Sequence, residues 1–179
     1  KIKVASLTTH IPIRKVSEKI TKKSICDAIK IMNKSLKNDF GIANPKIVIS
    51  SLNPHGGEGG TIGSEEIDII IPSIIKMKSL GLDVYGPISA DTLFSEPEVN
   101  KYDAKICMFH DQALIPVKTL DFYGTVNFTA GLPIVRTSPD HGTALNIAGE
   151  KEANNLSLRK AITFASKISK NRKRNEKRI

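Results

Sequence analysis

His10, His55 and His110 each follow a run of apolar residues that reads as a β-strand. The three runs are Val4-Ala5-Ser6-Leu7-Thr8-Thr9-His10, Ile47-Val48-Ile49-Ser50-Ser51-Leu52-Asn53-Pro54-His55 and Ile106-Cys107-Met108-Phe109-His110. In open α/β sheets, ligands gather outside the carboxyl ends of the strands, so imidazoles far apart in sequence can converge there. Such a set suits Zn²⁺, with Co²⁺ or Mn²⁺ as substitutes, and Asp91 and Asp111 are carboxylates that could join it. The spacing also fits histidines that merely cap or pack at loops, because it forms no local motif such as H-E-x-x-H.

The loop Asn53-Pro54-His55-Gly56-Gly57-Glu58-Gly59-Gly60-Thr61-Ile62-Gly63-Ser64 lets backbone approach a ligand and opens onto a helix N-terminus. It is neither common phosphate motif: no Gly-Lys-Ser/Thr follows, and Ile62 stands where a third glycine would complete G-x-G-x-x-G. Lys118, Asn127 and Arg136 are polar residues in apolar surroundings; a Lys and an Arg brought near a metal suit a phosphate or carboxylate substrate. The stretch Asp140 to Gly149 sets His141 and small residues at the start of a short helix, where a nucleotide can approach closely or the helix is simply capped.

Strands alternating with helices must position these groups. The pattern predicts a strand over 2–7, a helix from Thr21 as N-cap to about Asn38 with Ile25, Ala28, Ile29, Met32 and Leu36 inward, and a stop at Gly41. It predicts a strand at Ile47–Ile49, a helix after Ser64 that Pro72 kinks and Gly81 ends, and a strand at Lys105–Phe109 leading into a short helix. Extended segments are expected near Thr125–Thr129 and Pro133–Val135. A last helix begins near Ser157, with Leu158, Ala161, Ile162, Ala165 and Ile168 inward. The expected class is α/β with parallel strands.

The 179 residues carry 27 Lys and Arg against 18 Asp and Glu, a net charge of +9. Residues 167–179 hold seven of those cations and one Glu, which leaves the rest of the chain at +3. That run reads as a solvated helix end or tail, with no aromatic interleaved to stack on bases, so no nucleic-acid partner is expected. No apolar stretch reaches the roughly 18 residues needed to span a bilayer. Two cysteines, Cys26 and Cys107, make neither a disulfide framework nor a metal motif and point to the cytoplasm. The division expected is an α/β domain over 1–166 and a basic end over 167–179.

Thr8-Thr9-His10-Ile11-Pro12, the loop from Leu52 to Gly60, Glu65-Glu66-Ile67-Asp68, Pro87-Ile88-Ser89-Ala90-Asp91-Thr92-Leu93-Phe94, His110-Asp111-Gln112 and Asp140-His141-Gly142-Thr143-Ala144-Leu145 together resemble the 4-hydroxythreonine-4-phosphate dehydrogenase family of vitamin B6 biosynthesis. The resemblance implies an isocitrate/isopropylmalate dehydrogenase-like fold, with a parallel or mixed sheet flanked by helices, in a fragment that lacks the N-terminal half. It implies NAD and a divalent metal (Zn, Co or Mg), and a homodimer with a shared active site. It assigns His10, His55 and His110 to the metal and Lys118, Asn127 and Arg136 to the substrate. Asp140, His141, Gly142, Thr143 and Asn146 fall to the cofactor, although Asn146 replaces an Asp of isocitrate-type enzymes. Ala113 stands where the family usually has glycine.

The implied reaction is oxidation of the C3 alcohol of 4-phosphooxy-L-threonine to 2-amino-3-oxo-4-phosphooxybutanoate, which loses CO₂ to give 3-amino-2-oxopropyl phosphate. No residue identifies itself as the general base. Two alternatives remain: a dehydrogenase of 4-phospho-threonate or 4-phospho-erythronate, and a related-fold phosphate acyltransferase.

Overall fold

A computed structural model of the chain describes residues 2–142, 149 and 154–176. Strands β1 (Val4–Thr8), β2 (Ile47–Ser50), β3 (Val84–Ile88) and β4 (Ala104–Phe109) form one parallel sheet in the order β1-β4-β2-β3. Ile106 pairs with Ala5 on one side and with Ile49 on the other, so β4 is interior. Its continuous apolar run follows from that position, since an interior parallel strand has no solvent face. Lys105 is the exception: it is buried, its Nζ donates to the Val99 carbonyl at 2.7 Å, and burial pulls its pKa below the usual lysine value.

Helices cover the sheet as the periodicity predicts. After a short α1 (Val16–Lys19), α2 (Lys22–Asn38) begins at a reciprocal cap. The Ser24 N–H donates to Thr21 Oγ1 at 3.1 Å and the Thr21 N–H to Ser24 Oγ at 3.0 Å. Ile25, Ile29 and Leu36 are fully buried against the sheet, with Ala28 and Met32 packed beside them. The helix ends where Gly41 takes a left-handed φ of 74° and the Ile42 N–H reaches back to the Leu36 carbonyl. The helix after the glycine-rich loop opens as a π-helical turn, Glu66–Ile70, before α3 (Ile71–Ser79). Pro72, in the first turn of α3, cannot donate a backbone bond, and the widened turn is the form the expected kink takes.

Three expectations are corrected. β3 is an additional strand, hidden in the sequence because Gly86 and Pro87 interrupt its pattern; it is tolerated as the edge of the sheet, where one side of the strand needs no ladder. The second extended segment lies at β6 (Thr137–Pro139), not at Pro133–Val135, and pairs antiparallel with β5 (Val126–Phe128). In α7 (Leu156–Glu176), Ala161 and Ile168 are buried, but Leu158 and Ile162 are 49% and 62% exposed. The contact face of α7 is narrow and partly polar: Thr137 Oγ1 donates to the Ala161 carbonyl, and Ser157 Oγ to the Thr125 carbonyl.

Residues 167–176 are the second half of α7, the helix end that the composition suggested, yet they are not simply solvated. Asn171 Nδ2 donates to the Asp39 carbonyl and Asn175 Nδ2 to the Asn38 carbonyl, which completes orphan groups at the end of α2. Between β3 and β4 lie two short helices, α4 (Ala90–Leu93) and α5 (Glu96–Val99), and α6 (His110–Leu120) follows β4 directly. Among the described residues, no helix is long and apolar enough to cross a membrane.

Candidate metal and substrate site

The sheet order sets the three histidines side by side, because β1, β4 and β2 are successive strands and their carboxyl ends carry His10, His110 and His55. Neighbouring strands lie about 4.8 Å apart, so the three ends span roughly 10 Å. The rings of His10 and His110 meet edge to face with centroids 5.7 Å apart. Two imidazoles on one tetrahedral ion, with metal–nitrogen distances of about 2.0–2.1 Å, place their ring centres roughly 5 Å apart, so this pair fits a shared ion. Asp111 Oδ1 lies 2.7 Å from His110 Nδ1, a contact that orients the ring and leaves its Nε2 available to a ligand. His10 holds a left-handed φ of 51°, an uncommon state for a residue with a Cβ and one that gathers at functional sites.

His55 belongs to the same surface but not to the same cluster. It opens a turn of five successive left-handed residues, His55-Gly56-Gly57-Glu58-Gly59, in which the three glycines adopt that conformation freely while His55 and Glu58 bear the strain. Beneath the turn, the buried Glu66 carboxylate accepts the backbone N–H groups of Leu52 and Asn53 at 2.7 and 2.8 Å, and Asn53 Nδ2 bridges Glu65 and Glu66. A Cβ on Gly57 would stand 2.8 Å from Glu66 Oε2, so the loop packs too closely there for any other residue. The turn delivers His55 to the rim of a cleft of about 520 Å³, lined also by Asp91 and Asp111, with Phe94, Phe109 and Ile115 as its apolar wall. Hydrogen bonds from Ser89 and Thr92 hold the Asp91 carboxyl below the usual carboxylate range, with a smaller contribution from His55. Among the described residues, no three His, Cys, Asp or Glu side chains come close enough together to hold one ion. The expected convergence is thus seen in one chain for His10 and His110 only.

Gln112 locks this surface. Its Oε1 accepts from Ser50 Oγ at 2.9 Å and from the Met108 N–H at 2.7 Å, while Nε2 donates to the Ser51 carbonyl at 2.9 Å. One amide therefore ties the ends of β2 and β4, where His55 and His110 depart. Thr8 Oγ1 donates to the Met108 carbonyl at 2.8 Å and ties β1 to the same point. Glu66 is a brace that sequence reasoning misses, and no local signal reveals it, because its backbone partners lie 13 and 14 residues away. Gln112 carries a signal in its place directly after His110 and Asp111 at a strand-to-helix junction. Ala113, the next residue, is buried.

The other residues expected at the site lie along α6 and beside the β5–β6 pair. Lys118 is eight residues beyond His110 on α6, or about 12 Å of helix. Its Nζ donates to the Asp140 carbonyl at 2.8 Å and lies 3.6 Å from Asp140 Oδ2. Asn127 is exposed on β5 opposite Ser138, and Arg136 Nη1 donates to Thr129 Oγ1 at 2.8 Å. His141 and Gly142 are exposed, with His141 Nδ1 3.0 Å from the Gly142 carbonyl. Thr143 and Asn146 lie outside the described residues.

Known proteins are similar to the chain in both sequence and fold. The family model described as pyridoxal phosphate biosynthetic protein PdxA matches residues 1–165. The 4-hydroxythreonine-4-phosphate dehydrogenase of Caulobacter vibrioides is 48% identical over 171 residues, which covers 96% of this chain and 51% of that protein. The enzyme of the same name from Bradyrhizobium diazoefficiens is 46% identical over 169 residues, covering 94% of this chain and 49% of the relative. The crystal structure of 4-hydroxythreonine-4-phosphate dehydrogenase from Klebsiella pneumoniae superposes with a TM-score of 0.85 at 40% identity, over 94% of this chain and 51% of that one. The chain spans about half the length of the curated relatives it matches. With a family match over residues 1–165, 48% identity to a relative across 96% of the chain and a matching fold, it belongs to the pyridoxal phosphate biosynthetic protein PdxA family.

Proposed function

We propose that this chain forms the metal- and substrate-binding half of an NAD-dependent 4-hydroxythreonine-4-phosphate dehydrogenase, which oxidises 4-phosphooxy-L-threonine to 2-amino-3-oxo-4-phosphooxybutanoate on the way to 3-amino-2-oxopropyl phosphate. The observation that carries this reading is the His10–His110 pair, 5.7 Å apart at adjacent strand ends, with His110 oriented by Asp111. His10, His55 and His110 would hold Zn²⁺, Co²⁺ or Mg²⁺. When bound, the metal supplies Lewis acidity at the alcohol and the nicotinamide supplies a hydride acceptor.

The chain's own residues bind and orient. Lys118 and Arg136 hold the phosphate through charge-assisted hydrogen bonds, and Asn127 adds a neutral one. Asp140, His141, Gly142, Thr143 and Asn146 are assigned to the cofactor. Gln112 keeps the strand ends in register, so that the histidines stay fixed while the substrate is held from the far end of α6.

The metal site is completed across a homodimer. Three observations support this: His55 stands apart from the His10–His110 pair, all three histidines are solvent-accessible, and Ile67, Ile71 and Ile75 form an exposed apolar stripe at four-residue spacing just after the His55 loop. A two-fold axis lets one patch serve both subunits. The cytoplasm suits the two free, buried cysteines.

Mixed dimers test this reading. A His10→Ala/His110→Ala chain refolded together with a His55→Ala chain is expected to recover part of the metal binding that neither shows alone, because such a mixed dimer holds one complete set; no recovery despite proven mixed dimers would sink the shared site. Titration of the metal-loaded chain with 4-phosphooxy-L-threonine, 4-phospho-threonate and 4-phospho-erythronate then ranks the substrates. Preference for either hydroxy acid would replace the proposed substrate.

A further inference from the structure

Lys118 is held at a junction of four elements. Its Nζ donates to the Asp140 carbonyl at 2.8 Å, lies 3.6 Å from Asp140 Oδ2, and sits 5.4 Å from the centre of the Phe122 ring. Asp140 is itself fixed: its N–H donates to Ser157 Oγ at 3.3 Å, and that hydroxyl donates to the Thr125 carbonyl at 2.6 Å. The end of α6 is thus joined to the end of β6, the start of α7 and the residue before β5. Among the described residues, Asp140 Oδ2 is the buried side-chain oxygen or nitrogen without a hydrogen-bond partner. A buried carboxylate oxygen with no donor is costly and calls for a physical reason.

We propose that Asp140 is a positioning residue for Lys118: its carbonyl and carboxylate together hold the ammonium in one place, so that its remaining donors are aimed at the anionic group of the substrate. This deepens the reading above and rests on the assignment of Lys118 to the substrate phosphate. A lysine ammonium is a point charge with three donors on a flexible four-carbon stem, so by itself it fixes no geometry. One donor is taken by the Asp140 carbonyl. At 3.6 Å the carboxylate acts by charge more than by hydrogen bonding, and it restrains Lys118 without using up a second donor. Oδ2 therefore stays unpartnered because its role is to hold the charge in place and leave the donor free. The Phe122 face adds a cation–π contact on another side. Restricting the ammonium beforehand removes an ordering cost that binding would otherwise carry.

The test uses the full 179-residue chain and two readouts. The first needs no ligand: acylation of lysine amines, followed by peptide mass spectrometry, with exposed Lys30 and Lys34 as internal references. Asp140→Asn is expected to raise the labelling rate of Lys118 at least about threefold relative to those references, and Asp140→Glu to restore most of the protection. An unchanged relative rate in a folded Asp140→Asn chain overturns the proposal. If that variant does not fold, the folded Asp140→Glu chain decides: Lys118 as protected as in the parent supports the proposal, and Lys118 as reactive as Lys30 overturns it.

The second readout is calorimetric binding of 4-phosphooxy-L-threonine and of 4-hydroxy-L-threonine to the metal-loaded chain. Asp140→Asn is expected to weaken the phosphorylated ligand about tenfold and the other less than about twofold, and to have no further effect in a Lys118→Ala background, as coupled residues behave. Loss with Lys118→Ala but not with Asp140→Asn overturns the positioning role and leaves the substrate reading intact. No loss with Lys118→Ala removes Lys118 from the phosphate, while the labelling result still decides whether Asp140 holds it.

Discussion

Arg172 places its Nε 2.6 Å from Oδ1 of the buried Asp39, while Ser35 Oγ donates to the other carboxylate oxygen at 2.6 Å. Arg172 Nη1 also reaches the carbonyls of Leu132 and Pro133, so one guanidinium joins the end of α2, the segment before β6 and the end of α7. A buried carboxylate is tolerated only when it is paired and hydrogen-bonded.

Removal of this contact has a large expected cost. Arg172→Met should lower unfolding stability by about 3 kcal/mol, because Asp39 is left buried and unpaired. Truncation after Ser166 should cost at least as much, since it also removes Ile168 and the Asn171 and Asn175 bonds. Urea denaturation with the midpoint and slope both fitted is the measurement; a truncated chain as stable as the parent would show that the end of α7 is dispensable.

Asp111 should matter to the metal without being one of the three imidazoles. Asp111→Asn keeps the shape but weakens the orienting contact to His110 Nδ1. Metal affinity is expected to fall about 10–100-fold, less than for His55→Ala or His110→Ala. Competition with a chelator of known affinity measures all three, and an Asp111→Asn chain that binds as tightly as the parent contradicts the orienting role.

Gln112→Leu should destabilise the chain by about 2–3 kcal/mol, because Ser50 Oγ, the Met108 N–H and the Ser51 carbonyl all lose their partner at once. Amide hydrogen exchange should quicken at Met108 first. Exchange at Met108 no faster than in the parent would remove Gln112 from its tying role.

Lys105 predicts a pH dependence. Burial lowers its pKa in the folded state, so the unfolded chain binds a proton more readily. Stability contributed by this group therefore rises as pH climbs through the folded value toward the ordinary value of 10.5, and is lost as pH falls. Lys105→Met keeps the buried stem and removes the amine. Over that window, rising pH should shift the stability difference between the two chains in favour of the parent; a constant difference would mean that Lys105 does not titrate differently on folding.

The sequence by itself determined whatever depends on near neighbours along the chain. Thr21 and Ser24 form their reciprocal cap three residues apart, Gly41 ends α2 through its own φ, and the apolar runs before His10, His55 and His110 are strands because their β-branched and apolar residues suit a sheet. The family motifs were legible for the same reason, as short ordered strings. Tertiary structure decided what depends on distant groups. Glu66 braces a loop 13 residues away, Asp140 meets Lys118 across 22 residues, and Arg172 meets Asp39 across 133. The inward face of α7 is set by what lies opposite it: Phe164 packs against Phe40 and Phe128, the Thr137 hydroxyl bonds the Ala161 carbonyl, and Asn171 and Asn175 bond the end of α2, so Ala161 and Ile168 are buried on that face while Leu158 and Ile162 stay exposed. The strand ends brought His10 to His110, but the left-handed turn that carries His55 sets it at the cleft rim with Asp91, a separation that backbone conformation in three dimensions determines and residue spacing does not.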